Sequence, residues 1–148
     1  VRCENKLYIY RCLQRSAPPT LDKDKIWHVK RKWDVDAIKM GARYLLGHHD
    51  FTSFRSADCQ AKTPMRTLDR ADIITFPYDD HEGLEIQFHF EAQSFLYHQV
   101  RNMVGTLSLV GVGRIAPVDV RDILEAKDRT KAGPTIPSDG LSLVRIDY

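Results

Sequence analysis

Apolar positions along this chain follow two spacings, every second residue in some stretches and helical in others. Residues 6–13 (Lys6-Leu7-Tyr8-Ile9-Tyr10-Arg11-Cys12-Leu13) are rich in aromatic and β-branched side chains and predict a strand. Ser16-Ala17-Pro18-Pro19-Thr20 ends it, because proline cannot donate to a ladder. The charged stretch through Trp27 and Trp33 predicts irregular structure. Asp34 has the chemistry of an N-cap, and Val35, Ile38, Ala42, Leu45 and Leu46 follow at helical spacing. A helix is expected over residues 35–46, with Gly47 as its stop. Residues 47–55 predict a loop, 66–76 a strand and 77–83 a turn. Leu84, Ile86, Phe88 and Phe90 then alternate with Glu85, Gln87, His89 and Glu91, predicting a strand with one buried and one wet face.

Helical spacing returns after Ser94, which stands where a cap belongs. Phe95, Val100, Met103, Val104, Leu107 and Val110 predict a helix over residues 95–112 with a wide apolar stripe. Gly105 in its middle costs roughly 1 kcal/mol relative to alanine, and is sensible where another backbone or a ligand comes close. Pro117 opens a short helix with Val120, Ile123 and Leu124 facing inward. Residues 128–139 predict a polar loop and 141–148 a terminal strand. Strands and helices are segregated rather than alternating as βαβ units. The expected fold class is α+β, an antiparallel sheet with helices packed on one face, residues 1–148 forming one domain.

Composition narrows the function classes. The chain has 148 residues, 43% hydrophobic and 28% charged, with a net charge of +2. These are the proportions of a soluble globular domain. No apolar run reaches the ~18 residues of a membrane span, and no signal peptide is visible. The charge balance does not announce nucleic-acid binding. Lys23, Lys25, Lys30, Arg31 and Lys32 cluster, as do Arg55, Lys62, Arg66 and Arg70. Each cluster reads either as ordinary solvated surface or as a basic face for phosphates. Cys3, Cys12 and Cys59 are odd in number and lack CxxC spacing, which argues against a disulfide framework or structural zinc and for a reducing compartment. The chain opens on Val1 and enters a strand almost at once, which reads as a piece of a longer polypeptide.

Candidate chemistry is sparse. His48, His49 and Asp50 are adjacent, a spacing that points ligands apart, and no HxxxH or HExxH pattern occurs. GxSxG, GxGxxG and Walker patterns are missing too. What stands out is Arg101 inside the apolar run of residues 94–105. A buried guanidinium is costly unless an acid meets it. Arg101 is therefore either capping a carbonyl or pairing with a surface acid, or it lines a pocket and holds a catalytic acid. On a helix it would share a face with Tyr97, four residues away, with Asn102 one step around. Tyr8 and Tyr10 project from one face of their strand, either as sheet packing or as a platform on which a base stacks.

Four ordered motifs carry a family resemblance. Lys6-Leu7-Tyr8-Ile9-Tyr10 resembles a basic-x-Tyr-x-Tyr strand. Leu46-Gly47-His48-His49-Asp50-Phe51-Thr52-Ser53-Phe54-Arg55 is similar to a Leu-Gly-x-His/Asn-Asp-Phe-x-Ser-Phe segment. Phe95-Leu96-Tyr97-His98-Gln99-Val100-Arg101-Asn102-Met103-Val104-Gly105 resembles a Phe-x-x-x-Met-Val-Arg-Asn-x-Val-Gly helix, with Gln99 in place of the usual methionine. Ala126-Lys127-Asp128-Arg129, then Ala132-Gly133-Pro134-Thr135-Ile136-Pro137 and Gly140-Leu141-Ser142-Leu143, resemble a closing signature. Together they resemble the C-terminal part of the tRNA pseudouridine synthase A family, which isomerises uridine to pseudouridine in the anticodon stem-loop of tRNA.

That resemblance implies the C-terminal half of a pseudouridine synthase-type fold. It implies Arg101 as partner of the nucleophilic aspartate, Tyr8 over a flipped uracil and in proton transfer, and Leu141 as an apolar pocket wall. Tyr10, Asn102 and Arg55 complete the expected substrate-binding set. No metal or organic cofactor is implied; a cytoplasmic homodimer with tRNA as partner is. The family's nucleophile lies in an Arg-Thr-Asp-x-Gly-Val-His segment upstream of the Tyr-x-Tyr strand, and this sequence has none. Arg66-Thr67-Leu68-Asp69 imitates it poorly, with the aspartate one place too far and on the wrong side of the strand. The chain alone is expected to be inactive, the other reading being a non-catalytic RNA-binding or dimerisation module. An unpaired edge is expected at residues 6–13, where it would favour self-association.

Overall fold

Strand β1 (Asn5–Gln14) organises the computed structural model, which describes residues 5–147. It pairs antiparallel with β5 (Leu84–Ala92) from Lys6 opposite Ala92 to Gln14 opposite Leu84. β5 pairs with β4 (Met65–Pro77), and β4 with β3 (Gly47–Asp50), again antiparallel. Two strands share the far side of β1. β6 (Leu141–Asp147) runs antiparallel to Asn5–Tyr10, and β2 (Trp27–Val29) runs parallel to Cys12–Gln14. Helices α1 (Val35–Arg43), α2 (Gln99–Gly111) and α3 (Pro117–Ala126) bury Ile38, Met103, Leu107 and Val120 in one cluster with Tyr10, Cys12, Ile86, Phe88 and Phe90 of the sheet. No helix among the described residues is long and apolar enough to cross a membrane.

The α+β class holds, and the sheet is mixed rather than purely antiparallel. β2 is the reason: Trp27 and Val29 are set beside β1 by tertiary packing, since Trp27 meets the rings of both Tyr10 and Trp33. The expected unpaired edge at residues 6–13 does not exist, because β6 and β2 cover the side of β1 that β5 leaves open. Residues 47–50, expected as loop, form β3. Residues 1–4, Cys3 among them, and residue 148 of the expected terminal strand lie outside the described residues; Cys12 and Cys59 are free thiols.

Two helices are shorter than their apolar spacing predicts. Asp34 caps α1 by accepting from the Ala37 amide at 3.0 Å. The helix ends at Arg43 because Tyr44, Leu45 and Leu46 switch to amide bonds three residues back, a tightened last turn before Gly47 at φ +101°. α2 starts at Gln99, not after Ser94. The Tyr97 carbonyl accepts from the Ser56 amide at 3.1 Å, and His98 adopts a left-handed φ of +64°. The Gln99 side chain instead accepts from the Leu96 amide at 2.8 Å.

The alternation of β5 is real, but its polar face is not wet. Glu85 is 8% exposed and His89 9%. β5 is central, so its neighbours' side chains cover it. Arg11 donates to both Glu85 oxygens at 2.8 and 3.0 Å, Gln87 donates to Glu85 at 2.6 Å, and His89 Nε2 lies 2.8 Å from Gln87 Oε1. Burial, then the Arg70 charge, hold the His89 imidazole below its ordinary pKa, while the bond from Arg11 holds the Glu85 carboxyl low.

Gly105 meets the close approach its position implied. A Cβ there would collide with the Pro134 carbonyl oxygen, and one on Gly133 would lie 2.8 Å from the Gly105 oxygen. Gly105→Ala should destabilise the chain by about 3 kcal/mol, the upper end of an overpacking penalty, read as a lower denaturant midpoint at unchanged m-value. Acid should destabilise it as well. His89 and Glu85 both take up protons more readily unfolded, so their contributions are full above the unfolded pKa values and fade as pH falls toward the lower folded ones. Melting temperature should drop between about pH 7 and pH 5, and His89→Gln should flatten the upper part of that drop.

Candidate active site

A cavity of about 380 Å³ opens where the start of α2 meets β1 and the first residue of β6. Tyr8 enters it from β1, Leu141 from β6 and Arg101 from the first turn of α2, with Phe95, Tyr97 and Ser138 on the remaining walls. Tyr8 is half-buried and edge-on to Phe95, ring centroids 5.2 Å apart at 88°. Among the described residues no carboxylate lines the cavity.

Arg101 takes neither simple form expected of it. Its Nε donates to the Ile136 carbonyl at 2.7 Å, so it does satisfy a backbone oxygen. Its terminal nitrogens have no hydrogen-bond partner and no acid among the described residues. The result is a half-buried cation on a cavity wall, anchored through one nitrogen and open through the others. Its field reaches its neighbours. Burial, then the Arg101 charge, lower the His98 pKa, which leaves that ring neutral near pH 7. Tyr97 and Arg101 do not share a helix face as the spacing predicted, because Tyr97 precedes the helix.

Of the six residues singled out in the sequence, Tyr8, Arg101 and Leu141 come together on this cavity. Tyr10, Asn102 and Arg55 do not reach it. Tyr10 does project from the same strand face as Tyr8, but it is fully buried; it donates its hydroxyl to the Pro137 oxygen, and its ring is not free to stack on a ligand. Burial pushes its phenol pKa far up. Asn102 is also fully buried. It donates to the Phe54 carbonyl at 2.8 Å and accepts from Arg129 at 3.0 Å and from the Thr135 hydroxyl. Arg55 donates to the carbonyls of Cys59 and Ala61 at 3.2 and 3.0 Å, holding its own loop. These three shape the wall from behind.

The polar positions of the other motifs are joined behind the cavity. Ser53 donates to the Ile123 carbonyl at 2.6 Å and accepts from the Asp128 amide at 2.9 Å, tying the 51–54 turn to the end of α3. Arg129 donates to Asn102, Thr135 and the Gly133 carbonyl, and Thr106 accepts from the Gly133 amide at 2.8 Å. This net presses the 128–140 loop against α2 and delivers Ile136 to Arg101. Arg129 and Thr135 carry no local pattern that marks them for this role; only their position in the closing motif pointed there. The basic residues Lys23, Lys25, Lys30, Arg31 and Lys32 are all exposed around β2 and none lines the cavity. Among the described residues no group of His, Cys, Asp and Glu is placed to hold a metal ion.

Residues 42–148 match the family described as tRNA pseudouridine synthase. The chain is 51% identical over 143 residues to tRNA pseudouridine synthase A of Paramagnetospirillum magneticum, covering 97% of this chain and 54% of that protein. It is 50% identical over 141 residues to tRNA pseudouridine synthase A of a Caulobacter species, covering 95% of this chain and 54% of that protein. A third, from Acidiphilium cryptum, is 50% identical over 143 residues with the same 97% and 54% coverage. The chain thus spans about half the length of the curated relatives it matches. With three of the four motifs lining one cavity and identity near one half along almost its whole length, this chain belongs to the tRNA pseudouridine synthase family.

Proposed function

We propose that this chain supplies the base-holding and arginine-bearing part of an active site that isomerises uridine to pseudouridine in the anticodon stem-loop of tRNA. The observation that carries the reading is Arg101, a cation on the wall of an aromatic cavity with its terminal nitrogens unpaired among the described residues. Such a wall is incomplete without an anion. An aspartate placed there is held ionised by the adjacent charge, which suits a nucleophile. The reaction breaks the bond from uracil N1 to ribose C1′ and forms one from C5 to C1′, with the C5 proton lost and N1 protonated. It requires the base to leave its stack first. Tyr8 lies over the extruded uracil, and its phenol takes part in that proton transfer. Leu141 closes the apolar side and keeps water from the ring. Residues 1–148 act as one catalytic-type domain, in a cytoplasmic homodimer with tRNA lying across both subunits.

No Arg-Thr-Asp-x-Gly-Val-His segment occurs in these 148 residues, so the nucleophile comes from elsewhere and the isolated chain is inactive. The test is mass-spectrometric detection of pseudouridine in an unmodified tRNA transcript. The 148-residue chain should form none, and the whole gene product that contains it should convert the transcript. Pseudouridine made by the chain alone would overturn the assignment of the nucleophile. A whole product that binds tRNA yet leaves uridine unchanged would make the chain an RNA-binding or dimerisation module instead.

Within the whole product, Arg101→Lys should lower kcat by about 10²–10³-fold with a smaller change in KM, the loss typical of one preorganised electrostatic donor. Tyr8→Phe keeps the ring and removes the hydroxyl. Its kcat should fall by roughly 10²-fold or more while KM holds, as for removal of a proton-transfer group; Tyr8→Leu should raise KM as well.

A further inference from the structure

Tyr97 is 56% exposed at the mouth of the cavity, yet it is held in place. A single exposed aromatic ring is ordinary on a protein surface; a pinned one is less so. Its carbonyl accepts from the Ser56 amide, and the turn behind it is closed by the Gln99 amide on the Leu96 oxygen at 3.0 Å. One face of its ring lies on His98, centroids 3.8 Å apart at 26°. No other ring contacts it among the described residues. His98 reaches that position only through its left-handed backbone at φ +64°, a conformation few non-glycine residues adopt. The backbone strain, the stacked pair and the late start of α2 all serve to hold one flat ring at the lip with its second face open.

An extruded base leaves a gap. The nucleotide beside it in the strand keeps its place but loses a stacking partner, and its exposed π-face needs a cover. We propose that Tyr97, backed by His98, is a stacking shelf for the nucleobase adjacent in sequence to the one that enters the cavity. The site then has two aromatic platforms, Tyr8 inside for the reacting base and Tyr97 outside for its neighbour. A shelf of this kind reads no base edge and tolerates any of the four bases, and the neutral His98 ring stacks without adding charge. The proposal rests on the reading of the cavity as a uridine site.

The experiment uses the whole gene product and an RNA stem-loop carrying the target uridine, with Kd and KM measured for wild type, Tyr97→Ala and Tyr97→Phe. The same RNA is also made with an abasic nucleotide on the 5′ or the 3′ side of the target. On intact RNA, Tyr97→Ala should weaken Kd and raise KM about ten-fold, within the range for one base–aromatic stack, with kcat within about two-fold and Tyr97→Phe close to wild type. On RNA lacking the correct neighbouring base, wild type should be weakened by a similar factor and Tyr97→Ala should cost nothing further. Equal losses for Tyr97→Ala on intact RNA and both abasic RNAs, or no loss on intact RNA, overturn the shelf. If wild type forms no pseudouridine, the uridine-site reading fails by itself, and the Kd cycle still decides whether Tyr97 stacks on a base.

Discussion

α2 and the 128–140 loop lie backbone to backbone, and the geometry of the cavity depends on that contact. Gly105 and Gly133 face each other with no room for a Cβ on either, and the Thr106 hydroxyl ties the Gly133 amide across the gap. The loop is thereby held close enough for the Ile136 carbonyl to reach Arg101 and the Pro137 carbonyl to reach Tyr10. The same path leads through Gly140, whose hydrogen faces the Tyr10 ring where a side chain would clash, into Leu141 at the start of β6. One tight contact thus sets the cation, the buried tyrosine behind the cavity and one wall together. Moving the loop outward by the width of a methyl group would release all three.

Charge is placed with the same economy. Among the described residues Arg11 pairs with Glu85, Arg15 with Asp79, and Arg129 with Asn102 and two oxygens of its own loop, whereas Arg66 keeps a buried Nε without a partner. A cation left short of acceptors in a partly desolvated place is normally avoided. Arg101 departs from that rule on the wall of a cavity lined by an aromatic ring and an apolar side chain. Sites that do chemistry are where local rules of stability are broken, and this departure is the strongest local sign of function in the described residues.

Much of this was legible in the order of residues. Aromatic and β-branched content located β1, strict alternation located β5, helical spacing located all three helices, and Gly105 inside an apolar helix announced a close neighbour. The misses share a cause. β2 has three residues and β3 four, too few to show a period, and only their pairing with β1 and β4 makes them strands. The start of α2 was misread because the carbonyl of Tyr97 is claimed by Ser56, a contact 41 positions distant in sequence (97 less 56). For the site, motif membership grouped six residues, but only packing separates Tyr8, Arg101 and Leu141 from Tyr10, Asn102 and Arg55. Tyr10 and Tyr8 share a strand face; a hydrogen bond to Pro137 and the cover of Gly140 bury one behind the cavity, while the other lines it.

β1 is completed by β6, so a strand near the start of this chain waits for one near its end. Tyr8 pairs in register with Leu143 and Tyr10 with Leu141. During synthesis β1, β4 and β5 emerge and can pair while β6 is still inside the ribosome, but the cavity cannot. Long-range pairings of this kind form late. The pocket is therefore among the last parts of this chain to take shape, and a growing polypeptide carries its aromatic and cationic groups before any cavity gathers them.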